Sequence, residues 1–99
     1  MSIDEFRALS PANPPDGMSG SLVALLRDAH GDWQGAHEAA QEDEGVPGAW
    51  VHAYLHRKEG DPGNAGYWYR RAGKAFPKVS LDAEWEQIAA ALLGLQKGD

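Results

Sequence analysis

The pair Gly-Asp occurs at Gly31-Asp32 and again at Gly60-Asp61, 29 residues apart, and each copy separates two stretches whose apolar residues follow helical spacing. Glycine stops a helix because it accepts the left-handed backbone that other residues resist. Aspartate starts the next helix because its carboxylate accepts from the unpaired N–H groups of the first turn. Ala36 and Ala65 stand at the same offset from the two pairs. A repeated stop, cap and small close-packing residue restricts this stretch to helical hairpins and suggests a short helical repeat.

The flanking sequence fits the same scheme. Leu22, Leu25, Leu26 and Ala29 make a helical stripe before Gly31, and a second helix runs from Trp33 to about Gln41 with a small-residue face of Ala36, Ala39 and Ala40. Pro47 fits the first turn of a helix ending near Glu59, and Pro62 opens the next, with Ala65, Trp68, Tyr69 and Ala72 inward and Pro77 closing it. Ser80 can cap a last helix carrying Leu81, Trp85, Ile88, Ala89, Leu92 and Leu95 on one face. At the start, Ser2 and Glu5 have capping-box spacing, predicting a short helix over 3–9 before the Pro-rich segment Pro11 to Gly17. No stretch alternates with period two. The expected fold is one all-α domain: a short N-terminal helix and linker over 1–20, two antiparallel hairpins over 21–78, and a capping helix over 79–99.

Composition excludes several functions. There is no Cys, so disulfides and thiolate metal sites are ruled out, which points to a reducing compartment and a cytoplasmic protein. No run approaches 18 apolar residues, and the first ten residues carry Asp4 and Glu5 in place of an apolar leader, so neither a membrane span nor a secretory signal is expected. The net charge of −6 divides into −7 over residues 1–46, +4 over 47–78 and −3 over 79–99. Such a basic middle is neutralised within the chain more readily than by phosphate, which argues against nucleic acid.

The second hairpin resembles a tetratricopeptide repeat. Gly60, Asp61, Ala65, the pair Trp68-Tyr69, Ala72 and Pro77 fall at that family's spacing, and the first hairpin agrees at Gly31, Asp32, Trp33 and Ala36. In the first helix of the second hairpin the family has a large apolar residue and an aromatic where this chain has His52 and His56. The resemblance implies a groove-facing side of Pro47, Trp50, Tyr54, Arg57 and Lys58, and a protein or peptide partner for it.

Two functional readings follow. In the first, the protein is an interaction module, self-associating or binding another protein through Trp50, Tyr54, Arg57 and Lys58, with Tyr67, Arg70 and Arg71 as a second patch. Aromatic and Arg side chains supply stacking, cation–π and carboxylate pairing. The alternative, a metal- or small-ligand-binding protein, centres on His52, His56 and Glu59, which lie within about 60° of one another on a helix. An H-x-x-x-H pair can bind a divalent metal or hold a general acid–base, with Glu59 or His37 as a third ligand. The zinc-protease form requires Glu directly after the first His, and Ala53 stands there. The plain alternative for the pair is a hydrogen-bonded polar network in the core. Arg57 and Lys58 are expected to face solvent, which turns the His stripe inward.

Overall fold

A computed structural model describes the backbone of residues 1–96 and the side chains of residues 1–94. Six helices follow one another: α1 (Ile3–Arg7), α2 (Gly20–Ala29), α3 (Trp33–Gln41), α4 (Val46–Glu59), α5 (Pro62–Ala72) and α6 (Leu81–Gln96), and no strand occurs among the described residues. The all-α expectation therefore holds. The boundaries move where local chemistry is stronger than periodicity. α1 stops at Arg7, and α5 stops at Ala72 because Gly73, in the left-handed region, ends it before Pro77.

The caps lie where the residue types place them. Ser2 and Glu5 form a reciprocal capping box, and Asp32, Asp61 and Ser80 accept from the backbone N–H groups of Gly35, Asn64 and Ala83. Ser19, which the sequence reading passes over, caps α2 in the same way. Gly60 takes φ 89°, which lets the N–H of Asp61 reach back to the His56 carbonyl, so stop and cap share one two-residue connection. Gly48 has a different reason. The chain before α4 runs so close to it that a Cβ would overlap the Asp43 carbonyl.

α2 packs on α3, and α4 packs on α5, as two hairpins, while α6 returns across α4 and α2. Phe6, Leu22, Leu25, Leu26, Val51, Leu55, Trp85 and Ile88 fill the main core, and Ala53, Ala65 and Tyr69 make a smaller one between α4 and α5. Ala36, Ala39 and Ala40 are buried as expected of a close-approach face. The expected face of α6 is buried at Trp85, Ile88, Ala89 and Leu92; the Leu95 side chain lies outside the described residues.

α4 corrects one expectation. All six residues from Val51 to His56 are buried, so this helix has no solvent face along its middle. Tyr54 is 2% exposed and donates to Asp28 Oδ2 at 2.8 Å. Lys58 Nζ meets Asp28 Oδ1 at 2.9 Å, Arg57 Nη1 meets Glu84 Oε1 at 2.8 Å, and the Arg57 guanidinium also donates to the Val79 carbonyl. Tyr69 completes the second cluster by donating to Glu84 Oε2 at 2.6 Å. Cations at Arg57 and Lys58 signalled solvent: Lys58 does stay exposed while reaching Asp28 of α2, whereas Arg57 is largely covered by Glu84 of α6. Burial, then the hydrogen bonds to Asp28 and Glu84, push the Tyr54 and Tyr69 phenols up, so both remain donors.

Glu84 is 1% exposed and holds α6 against α4 and α5. Glu84→Gln leaves Arg57 without its counter-charge and is expected to lower unfolding stability by about 3 kcal/mol, as for other broken buried pairs. The exposed neighbour substitution Glu86→Gln should change it by less than about 0.5 kcal/mol. Urea unfolding of both variants checks this.

Candidate metal centre

His52 and His56 stand one turn apart on α4, and α3 lies alongside that face and brings His37 to them. One nitrogen from each of the three rings lies within 4.8 Å of the other two. His37 Nε2 and His52 Nε2 are 2.9 Å apart, and the His37–His56 and His52–His56 centroids are 5.3 and 5.2 Å apart. Three residues scattered over two hairpin arms thus converge on one point.

Two tryptophans hold the cluster from either side. The Trp68 indole stacks on His52 at 4.0 Å with an interplanar angle of 8°, and the Trp33 indole stacks on His37 at 5.1 Å and 13°. Trp33 Nε1 donates to the Leu55 carbonyl at 2.9 Å, which fixes the indole against α4. Glu59 Oε2 accepts from His56 Nδ1 at 2.7 Å. That bond holds the His56 ring in one orientation with its Nδ1 engaged. A carboxylate on the far nitrogen of a ligating histidine is a recurring device for this purpose.

The electrostatics favour neutral imidazoles. Burial pushes the His52 ring down to about 4, with the nearby His37, His56 and Arg71 acting in the same direction. Burial, then His56, also lowers His37, against partial opposition from Glu59 and Glu38. At neutral pH these two rings carry no charge. In the close His37–His52 contact one Nε2 donates and the other accepts, so a single shared proton lies between two lone pairs aimed at each other. Tetrahedral zinc–imidazole geometry, with bonds near 2.0–2.1 Å, places ligand nitrogens ~3.3 Å apart. The His37–His52 pair, at 2.9 Å, is slightly inside that spacing, and all three ligand nitrogens lie within 4.8 Å of one another.

The remaining candidates divide into two groups. Tyr54, Arg57 and Lys58 are engaged within the chain as described, and Trp50 is half-buried with the Lys74 ammonium 4.2 Å from its ring centroid. Tyr67, Arg70 and Arg71 stay exposed, with Arg71 Nη1 donating to the Tyr67 hydroxyl at 3.2 Å. Glu59 touches the histidine cluster through His56, and Glu59 and Asp61 approach His56 as a second, more exposed group. Sequence reasoning missed Asp28 and Glu84 as the acids that cover α4. It placed Trp33 one turn from His37 and Trp68 inward, but gave neither a place beside the histidines. No known protein family, curated protein or solved structure matches the chain.

In the metal-free protein the cluster makes stability pH-dependent. An unfolded histidine titrates near 6.5 and folded His52 about 4, so between those values the unfolded chain binds a proton that the folded chain refuses. Stability present above pH 6.5 is therefore lost as the pH falls toward 4, by on the order of 3 kcal/mol for this one group. Urea midpoints at pH 7.5 and 4.5 should differ more in the wild type than in His52→Gln.

Proposed function

We propose that this protein binds a divalent transition-metal ion through His37, His52 and His56. The convergence of three imidazole nitrogens within 4.8 Å, from two helices, carries this reading. Neutral imidazoles with available lone pairs are suited to zinc, copper, nickel or cobalt, and with no Cys in the chain softer thiolate selection is out of reach. Glu59, on His56 Nδ1, supports the site from outside and supplies a negative charge beside the ion. Trp33 and Trp68 wall the cluster and hold His37 and His52 in place before an ion arrives, which lowers the ordering cost of binding.

The interaction reading draws on different residues. On the Trp50, Tyr54, Arg57 and Lys58 face, Tyr54 is buried on Asp28 and Arg57 is held by Glu84, which leaves the exposed Lys58 and the half-buried Trp50 to a partner, whereas Tyr67, Arg70 and Arg71 are all exposed. The burial of Tyr54 and the Arg57–Glu84 pair favour the metal reading as the primary one.

Untagged protein stripped with a chelator and titrated with zinc or cobalt should bind one equivalent with a rise in melting temperature. His52→Ala should weaken binding by at least about 100-fold, and Glu59→Gln by about 10- to 100-fold, the range typical of an outer hydrogen-bond partner. Substoichiometric binding, or a His52→Ala protein that binds as the wild type does, contradicts the assignment.

A further inference from the structure

Three neutral ligands leave a divalent ion with its full charge and, in the usual four-coordinate arrangement, one open position. Beside the cluster lies a cleft of about 710 Å³, bounded by the α3–α4 connection, the start of α4 and the outer side of α5. His52 is the member of the cluster that lines it. Arg71 lines it too, and its guanidinium lies 5.1 Å from the centroid of the Trp68 ring on which His52 stacks. Arg71 also contributes to lowering His52, so its charge is felt at the cluster.

The ion pairs among the described residues engage His56, Arg57 and Lys58 and leave Arg71 with no carboxylate. Its hydrogen bond goes to the Tyr67 hydroxyl. The cleft therefore offers one guanidinium outside any ion pair among the described residues, next to a site that itself calls for an anion. Its walls include Val46, Ala49 and the Trp68 ring, which suit an apolar body; of its two carboxylates, Asp43 is engaged by the Ser21 hydroxyl and the Gly45 N–H, and Glu44 opposes a second negative charge. A polyanion such as a phosphate ester is disfavoured there.

Resting on the metal assignment, we propose that this cleft takes a small apolar monocarboxylate, whose carboxylate completes the coordination of the ion held by His37, His52 and His56 and pairs with Arg71. Arg71 is the anchor that selects an acid over a neutral molecule, and Trp68 and Val46 select an apolar body over acetate.

The test uses the full chain loaded with cobalt(II), whose visible absorption reports coordination. Benzoate should change that absorption saturably, and acetate should need a higher concentration. Arg71→Gln should weaken benzoate by about tenfold or more, the loss typical of a charged hydrogen-bond partner, while cobalt affinity stays within about threefold. Lys78→Gln, which removes the same charge elsewhere, should leave benzoate affinity as it is. Cobalt-loaded protein that shows no response to benzoate, or an Arg71→Gln protein that binds it as tightly as the wild type, overturns the carboxylate proposal alone. Failure to bind cobalt overturns the metal assignment and this proposal with it.

Discussion

A helix surrounded on all sides has no water for its polar groups, and α4 carries two histidines, a tyrosine and an arginine in or next to its buried stretch. Each must find a partner within the fold, because an unsatisfied buried polar atom costs about 1–3 kcal/mol in a domain whose whole stability is only about 5–15 kcal/mol. The chain solves this differently on the two sides. Toward α2 and α6, carboxylates meet each tyrosine and cation: Asp28 serves Tyr54 and Lys58, and Glu84 serves Tyr69 and Arg57. Toward α3 and α5, the histidines face another histidine and two indoles, with a carboxylate on His56 alone. Among the described residues no buried side-chain nitrogen or oxygen lacks a partner.

The asymmetry bears on function. Glu59 meets His56 from outside the cluster, and among the described residues no hydrogen bond brings a carboxylate to His37 or His52. Indoles exclude water without offering charge, so His52 stays neutral well below pH 7. His37 and His52 meet Nε2 to Nε2, an arrangement that one shared proton relieves in the metal-free chain. A cation relieves it more fully. The wall that keeps the rings neutral also lies along the cleft, so Trp68 connects the inner cluster to Arg71 and to the surface.

Much of the scaffold is legible in the residues. Gly31-Asp32 and Gly60-Asp61 mark two hairpin connections because both the stop and the cap are local chemistry, decided within a few residues. The inward direction of His52 and His56 follows from helical spacing, and His37 one turn from Trp33 is a reasonable third member. What spacing cannot give is the covering of α4 by α2 and α6. Arg57 and Lys58 are charged, and charge on a helix face ordinarily means solvent; that holds for Lys58, while the docking of Glu84, 27 residues after Arg57, covers Arg57. The same limit hides the indole walls, since Trp68 reaches His52 from the other arm of the hairpin. Within the Trp50, Tyr54, Arg57 and Lys58 stripe, Tyr54 and Lys58 meet Asp28 of α2, Arg57 meets Glu84 of α6, and Trp50 lies against the Lys74 ammonium.

The central claim is that the three histidines hold one metal ion together. The X-ray absorption spectrum of the protein loaded with one equivalent of zinc tests it most directly. The account predicts a four-coordinate first shell at about 2.0 Å with outer-shell scattering from three imidazole rings, and a carboxylate or water oxygen completing it. A shell of oxygen ligands with one imidazole or none would place the ion on surface carboxylates and contradict it.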